Sequence, residues 1–458
     1  MKQYTMIDTL LIFICFCLQT KAIYGNETIN VQIAGNSFEV NKISSSRGPD
    51  AIDLSPIFKD LGFKIYDPGL TYTVSTSSSI SFIDGPAGKL LYRGYPIESL
   101  VLKDYVEVAY LLIFGQSPSE KELYDFNERI RHYAQLNPSM SKNISDHAKH
   151  SDSMSLLARF IMTLADYKTH LNKENLNQDE KLDFMALVLG KIRSFVTKLY
   201  QVKTNTTLSS DSKYFFDHDS SYSESFVKEA YRGSELEENL SLASKAINML
   251  LVLHADHGQN CSTSTLRGVI SAKASPFFAL NAEVSALSGA AHGKANHDVI
   301  KLLKSIEKKI YAKQEIFGGE PVDYLTSEID ILLARVRNKE ILLPGFGHRV
   351  YTSFDPRARI LKKLSNEVLA TFDKGKGLLT IASALEQAAL AEPFLIKRNL
   401  YPNLDFYSGI IYTALEIPEE MLTVMFAFGR VSGWLANYHE MTNEPFKIWR
   451  PGQVYIGE

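Results

Sequence analysis

The sequence is short of cysteine and of net charge, and each shortage excludes a class of protein. Cys15, Cys17 and Cys261 are the only cysteines among 458 residues. If the first two leave with a leader, Cys261 has no partner, which excludes a disulfide framework within one chain. The net charge is −3 and no long basic run occurs, so we expect no nucleic-acid partner.

Apolar runs long enough to cross a membrane are also missing. The short apolar run at residues 10–18 cannot span a bilayer as a helix, so no membrane partner is expected. With a cleavage-like stretch at residues 20–22 it resembles a secretory signal, whereas the cysteine count argues against secretion. We interpret residues 1–27 as a signal-like or non-native leader and expect a cytoplasmic protein. An organelle address and export stay open as alternatives.

Short alternating segments predict a β-rich piece over residues 28–95. Residues 28–33 alternate between polar and apolar, and residues 80–92 are typical of a hairpin around Asp84 and Gly85. Helical periodicity follows after Pro96. We predict the main helices at residues 106–114, 153–166, 182–200, 237–257 and 277–287. The fold class is therefore mainly α with a short β-rich N-terminal piece.

Local signals indicate where some of these helices begin and end. Ser117 and Glu120 have the spacing of a capping box, and Gly289 stands where a C-cap is expected. Residues 203–225 are rich in Ser, Asp, Thr and Tyr, which predicts a surface loop.

A glycine-rich loop at residues 344–357 combines groups that suit an anionic, carbonyl-bearing ligand. Gly345 and Gly347 allow a ligand to approach the backbone closely. His348 adds a titratable imidazole, and Arg357 adds a guanidinium that can bind a carboxylate through two hydrogen bonds. A turn carrying two surface cations is the alternative.

Three more histidines stand near predicted element ends. His254 and His257 are three residues apart and would share a face of the predicted helix. Because Asp256 points off that face, we predict two hydrogen-bonded histidines at a helix end and no metal site. His292 lies on a tight loop before a helix N-terminus, whose positive potential favours a neutral ring able to donate to an oxyanion. A loop histidine facing water is the alternative.

One carboxylate and two arginines complete the candidates. Asp405 has apolar neighbours that would desolvate it and raise its basicity, although a helix N-cap would explain it equally well. Arg430 lies in an apolar helix, where a cation is costly unless it meets an anion. Arg450 lies near the C-terminus, where simple surface charge is the alternative.

Together these residues resemble the citrate synthase family. The matching stretches are HADHGQN at residues 254–260, AHGKAN at 291–296, GFGHRVY at 345–351 and YPNLDFYSG at 401–409. SFIDG at residues 81–85 and YRGYPI at residues 92–97 match as well. With its β-rich start, the chain looks like the bacterial type II form.

The resemblance implies a set of catalytic and binding roles. Asp405 would remove a methyl proton from acetyl-CoA, His292 would donate to the thioester oxygen, and His348 would protonate the carbonyl oxygen of oxaloacetate. The groups implied to grip oxaloacetate are His257, Arg357, Arg430 and, from the neighbouring subunit, Arg450. The groups implied to recognise the CoA adenine are backbone atoms of Leu343, Pro344, Gly345, Phe346 and Gly347.

The resemblance also implies an architecture and an assembly. A large helical domain, residues 96–293 and 417–458, and a small helical domain, residues 294–416, would close over the substrates. The homodimer would be the smallest active unit, with a hexamer as the larger alternative. Acetyl-CoA would be a co-substrate, with no tightly bound cofactor and no metal. A 2-methylcitrate synthase using propionyl-CoA and a non-catalytic binding protein on the same fold are the alternative functions.

Overall fold

The computed structural model describes residues 24–457, apart from residues 34, 63, 207–216 and 446. The predicted leader therefore lies almost entirely outside the described residues. The chain divides into two compact units. Residues 78–449 form the larger unit, and the two ends of the chain, up to residue 77 and from residue 450, form the smaller one.

The smaller unit is built on an antiparallel sheet of three strands. They are β1 (Tyr24–Ile33), β2 (Asn36–Ile43) and β3 (Ala51–Ile52), followed by helix α1 (Ser55–Leu61). The predicted alternation is confirmed, because β1 and β2 form a hairpin in which Ile33 pairs with Asn36. Lys42 stabilises the sheet by pairing with Glu27 at 2.7 Å and with Asp50 at 3.1 Å.

A second antiparallel sheet opens the larger unit. Its strands are β4 (Ser81–Asp84), β5 (Lys89–Tyr92) and β6 (Tyr95–Pro96). Asp84 pairs with Lys89, which confirms the predicted hairpin and gives it a turn of four residues, 85–88. These two small sheets, both near the N-terminus, contain all of the strands in the described part of the chain.

Helices make up the rest of the larger unit, which confirms the mainly α fold class. The first nine are α2 (Ile97–Leu100), α3 (Tyr105–Phe114), α4 (Glu120–Ala134), α5 (Pro138–Ala148), α6 (Ser153–Tyr167), α7 (Gln178–Thr204), α8 (Tyr222–Ala230), α9 (Leu240–His254) and α10 (Cys261–Ile270). The others are α11 (Pro276–Leu287), α12 (Ala295–Phe317), α13 (Pro321–Arg337), α14 (Pro356–Thr371), α15 (Lys376–Ala391), α16 (Pro393–Ile396), α17 (Leu404–Ala414) and α18 (Leu422–Thr442).

The predicted helix over residues 237–257 was too long. Helix α9 ends at His254, because tertiary partners take over the hydrogen bonds beyond it. The Tyr92 hydroxyl donates to the Asp256 carbonyl at 2.9 Å, and the Gly433 N–H donates to the Ala255 carbonyl at 3.0 Å. His257 therefore lies past the helix end and does not share a helix face with His254.

Two predicted helix ends were displaced. The capping box of α4 is formed by Ser119 and Glu122 rather than by Ser117 and Glu120. Both pairs of residues have the spacing of a capping box, but the apolar face of the helix begins only after the pair of Ser119 and Glu122. At the end of α11, Ser288 is the C-cap, so the predicted cap at Gly289 was wrong.

The predicted surface loop over residues 203–225 was also too long. Helix α7 continues to Thr204. Helix α8 begins at Tyr222 behind a capping box formed by Ser221 and Glu224. The middle of the predicted loop lies outside the described residues.

Helix α18 is the centre of the larger unit. Each of its residues from 422 to 438 is buried, and Trp434 is fully inaccessible to solvent. Two glycines four residues apart, Gly429 and Gly433, let its backbone touch the end of α9. A Cβ on Gly433 would lie 2.2 Å from the Ala255 carbonyl oxygen, so only glycine permits this approach. Across the described residues, no helix has the length and apolar character needed to cross a membrane.

We expect Gly433→Ala to lower the free energy of unfolding by about 1–3 kcal/mol, because the added methyl group overpacks the contact between α18 and the segment after α9. Chemical denaturation would measure the loss. Gly268→Ala in helix α10 is the matched control, since the nearest atom to its Cβ would be a Trp449 ring carbon at an ordinary 3.6 Å. Equal stabilities for the two variants would contradict this account of the contact.

Candidate active site

A short backbone bridge brings the loop of His348 against the start of the helix that carries Asp405. The Gly347 N–H donates to the Tyr401 carbonyl at 2.8 Å, and the Asn403 N–H donates to the Gly345 carbonyl at 2.9 Å. The Asn403 side chain then caps α17 by accepting from the Asp405 N–H at 3.0 Å. Asn403 is thus the N-cap, and the Asp405 carboxylate is not needed for that role.

The ring of His348 is held by two backbone donors. Its Nδ1 lies 3.0 Å from the Val350 nitrogen and 3.2 Å from the Tyr351 nitrogen, and both N–H groups point at it. A nitrogen that accepts hydrogen bonds carries no proton, so the proton of the neutral ring is on Nε2. His348 therefore presents an N–H donor on the side away from its own loop.

His257, His348 and Tyr351 form a cluster of three rings. The centroid of the His348 ring lies 5.0 Å from that of His257 and 4.8 Å from that of Tyr351. The Tyr351 hydroxyl is 3.3 Å from Nε2 of His257. His257 was predicted on a helix that ends before it, and it nevertheless lies beside His348.

Arg357 is buried in a two-pronged ion pair with Asp355. Its Nε donates to one carboxylate oxygen at 3.0 Å and its Nη2 to the other at 2.8 Å. The Asp355 carboxylate also accepts from the Leu404 N–H at 3.2 Å, so the pair is tied to the first turn of α17. Asp355 raises the pKa of Arg357, which stays charged despite its burial.

Arg430 follows Gly429 on α18 and points into the same region. Its Nε donates to the His254 carbonyl at 2.6 Å, and its guanidinium carbon lies 4.7 Å from the centre of the Phe426 ring. The side chain is only 2% exposed. No described residue lies within hydrogen-bond distance of its four remaining N–H groups, so they are available to an anion.

His292 lies in the tight loop between α11 and α12, where its ring contacts the start of α10. Its Nε2 is 3.2 Å from the Ser262 nitrogen, which donates to it, and 3.1 Å from the Ser262 hydroxyl. The Trp434 indole N–H donates to the same hydroxyl at 3.2 Å. Because Nε2 accepts from the backbone, the proton of the neutral ring is on Nδ1, on the side of the ring away from Ser262.

Burial and the two guanidinium groups keep these histidines neutral. Burial, reinforced by the charge of Arg430, lowers the pKa of His292 to about 4. Burial and the charge of Arg357 lower the pKa of His348 to about 4 as well. The pKa of His257 is lowered well below its usual value by burial and then by Arg357.

Asp405 is a carboxylate of raised basicity. Removal from water raises the pKa of its carboxyl to about 6, although Arg357 and Arg430 act in the opposite direction. No described residue donates a hydrogen bond to its carboxylate. An ionised carboxylate without donors is a stronger base than one in water, as the sequence predicted for this position.

Several groups at this site were not singled out in the sequence. Ser262 donates to His292, Asp355 holds Arg357, and Tyr351 contacts His257. Asp355 had a detectable signal, since an Asp before a Pro is a favoured start for a helix, and it does cap α14. The role of Ser262 depends on packing between α10 and a loop thirty residues later, and no local pattern reveals it.

The loop predicted to recognise adenine is only partly free to do so. Its Gly345 carbonyl and both backbone groups of Gly347 are engaged by residues 401–403. The Pro344 and Phe346 carbonyls have no partner among the described residues. Arg450 belongs to the smaller unit, where its side chain is exposed. The described residues contain no group of three His, Cys, Asp or Glu side chains that could hold a metal ion.

Comparison with known sequences gives a consistent result. The family model described as citrate synthase, C-terminal domain, matches residues 69–452. Citrate synthase 1 of Mycobacterium tuberculosis is 35% identical over 437 residues, covering 94% of this chain and 96% of that protein. Citrate synthase of Corynebacterium glutamicum is 36% identical, covering 92% of this chain and 93% of its own length.

Solved structures are similar as well. Citrate synthase from the archaeon Thermoplasma acidophilum, in a ternary complex with carboxymethyl coenzyme A and oxaloacetate, superposes with a TM-score of 0.73 at 25% identity. The match covers 86% of this chain and 97% of that one. Citrate synthase from Pyrobaculum aerophilum gives a TM-score of 0.73 at 29% identity, with 94% and 97% covered.

We expect Asp405 to take up a proton as the pH falls through about 6, while His292 and His348 stay neutral until about pH 4. The raised pKa of the carboxyl makes it bind its proton earlier than an exposed aspartate, and the lowered pKa of each ring makes it bind later. Infrared difference spectra across this range should show a protonated-carboxyl band that Asp405→Asn lacks. A band unchanged in that variant would refute the assignment.

Proposed function

The chain belongs to the citrate synthase family, and we propose that its cluster of His292, His348 and Asp405 condenses acetyl-CoA with oxaloacetate and water to give citrate and CoA. The observation that carries this proposal is the contrast in protonation. One unpaired carboxylate has raised basicity, and the guanidinium groups that act on it, Arg357 and Arg430, also act on the neutral imidazoles of His348 and His292. Proton abstraction next to a carbonyl needs a base and a donor of this kind acting together.

We propose that Arg357, Arg430 and His257 bind oxaloacetate. A dicarboxylate is best held by guanidinium forks, and Arg430 has four N–H groups without a partner among the described residues. Arg357 uses two of its five N–H donors on Asp355, which leaves the others for a second carboxylate. A bound dicarboxylate would offset the free-energy cost of burying these two cations.

Enolisation is the first chemical step. The Asp405 carboxylate takes a proton from the acetyl methyl group, and the electron pair of the broken C–H bond moves towards the thioester carbonyl. The Nδ1–H of His292 donates to the oxygen where negative charge develops. A neutral ring performs this role without becoming a strong acid that would quench the enolate.

Condensation and hydrolysis follow. The enolate carbon attacks the ketone carbon of oxaloacetate, and the ketone oxygen receives its proton from the Nε2–H of His348. This forms citryl-CoA. Water then adds to the thioester carbonyl, its hydroxide joining the carbonyl carbon and its other proton returning to His348. The C–S bond breaks, CoA leaves as the thiol with the proton held by Asp405, and citrate is released with the new carboxyl group losing its proton to solvent.

We propose that the segment 343–347 recognises the CoA adenine through its unpaired carbonyls at Pro344 and Phe346. Closure of a small domain, residues 294–416, on a large one, residues 96–293 and 417–458, would exclude water while the enolate exists. Acetyl-CoA is then a co-substrate, and no further cofactor is needed. We further propose a homodimer as the smallest active unit, with a hexamer as a possible larger assembly.

The alternatives are less well supported. The named relatives on both the sequence and the structure side are citrate synthases, which favours acetyl-CoA over propionyl-CoA and so citrate over 2-methylcitrate. A non-catalytic binding protein would not require an unpaired carboxylate and two oriented imidazoles in one site.

We expect Asp405→Asn to lower kcat by roughly 10²-fold or more, because the amide keeps the size of the side chain and removes the base. Oxaloacetate binding should be retained. A thiol-release assay with both substrates measures kcat, and the control is Asp298→Asn, at an exposed position in the first turn of α12. Activity of Asp405→Asn within a factor of about two of wild type would refute the assignment.

If Arg450 acts across a subunit interface, two defective chains should complement each other. Arg450→Leu should weaken oxaloacetate binding by about 1.5–3 kcal/mol, because a carboxylate loses a charged partner. Mixed with an Asp405→Asn chain, it forms a hybrid dimer with one site that has both native groups, so co-refolding should restore part of the activity. Hybrid dimers without any recovered activity would show that Arg450 does not act in the neighbouring site.

A further inference from the structure

We propose that Tyr351 is a positioning residue that fixes both histidines facing oxaloacetate, an inference that rests on the proposed function of the site. The residue makes two different contacts at once. Its backbone N–H donates to Nδ1 of His348 at 3.2 Å, and its hydroxyl lies 3.3 Å from Nε2 of His257. One residue thereby orients the ring that delivers the proton and a ring that binds the substrate.

The hydroxyl of Tyr351 has no other role in the described structure. The side chain is 2% exposed, and His257 is the only described residue within hydrogen-bond distance of the hydroxyl. A phenylalanine would fill the same space beside the two imidazoles without burying a hydroxyl. The hydroxyl is therefore explained by what it does to the His257 ring.

An imidazole needs such a partner when it is neutral and buried. His257 is surrounded by the cations Arg357 and Arg430, which together with burial keep its pKa well below the usual value. If the ring of His257 turned over about its Cβ–Cγ bond, a carbon would replace Nε2 at the Tyr351 hydroxyl. The contact with Tyr351 opposes that flip and so keeps the ring in one orientation.

The backbone at Tyr351 is itself held from the other side by the β4–β5 hairpin. The Gly85 carbonyl accepts from the Thr352 N–H at 3.3 Å and from the Ser353 hydroxyl at 3.0 Å. A Cβ on Gly85 would lie 2.0 Å from the Val350 carbonyl oxygen, so the two segments are in close contact. Tyr351 is thus fixed in place before substrate arrives, as a positioning residue must be.

The test removes the hydroxyl alone. Tyr351→Phe keeps the ring and the backbone N–H, and we expect it to weaken oxaloacetate binding roughly tenfold, the effect of losing one hydrogen bond to an ordered group. The KM for acetyl-CoA should stay within about twofold of wild type. Tyr231→Phe is the matched control, since that buried hydroxyl donates to the Leu415 carbonyl at 2.7 Å and should affect stability without affecting oxaloacetate affinity.

A double-mutant cycle decides whether the effect passes through His257. In a His257→Gln background, Tyr351→Phe should cause no further loss of oxaloacetate affinity. An equal loss in both backgrounds, or no loss in the native one, would overturn the proposal. Calorimetric titration measures each affinity.

Nitrogen NMR of histidine-labelled protein gives a readout that needs no substrate. The Nε2 signal of His257 should shift in Tyr351→Phe and stay unchanged in Tyr231→Phe. An unchanged Nε2 signal in Tyr351→Phe would overturn the proposal even if oxaloacetate affinity fell. If the wild-type protein bound no oxaloacetate, the proposed function would be wrong, and the NMR result would still decide the role of Tyr351.

Discussion

The burial of two guanidinium groups in one site is the constraint on which the rest depends. Arg357 and Arg430 are 4% and 2% exposed, and taking such charges out of water is costly unless partners offset the cost. Asp355 compensates Arg357 fully, whereas Arg430 has only one carbonyl partner and the more distant charge of Asp256. Arg430 is therefore left with unused donors, which suit the binding of an anion.

Burial has a larger effect on the protonation of this site than the two guanidinium groups have. Burial first, and then the nearby cations, lower the pKa values of His292 and His348, so both rings are neutral. Asp405 is subject to the same cations, which act to lower its pKa, yet burial is the stronger effect and its basicity rises. Local hydrogen bonds thus determine which ring nitrogen of each histidine carries the proton. Burial, assisted or opposed by the two arginines, determines whether each group is protonated.

The sequence predicted the chemical groups better than it predicted their surroundings. The fold class, the hairpin at residues 80–92 and the five predicted helices follow from local patterns, which depend on neighbours along the chain. His254 and His257 were assigned to one helix face because no local sequence pattern shows that contacts with Tyr92 and Gly433 end the helix at His254. The contact between Ser262 and His292 was missed for the same reason, since it is created by packing between distant segments. The sequence did not show how the predicted site residues are oriented by groups that are distant along the chain.

The contact between Gly85 and Ser353 also has a consequence for how the protein is made. It joins positions 268 residues apart, and such a contact forms only after a long stretch of chain has been closed into a loop at a considerable entropic cost. Arg430 is added later still during synthesis on a ribosome. A nascent chain can fold its early helices, but its site is complete only after Arg430 has emerged from the ribosome. A chain that ends before Arg430 therefore lacks part of the proposed oxaloacetate site.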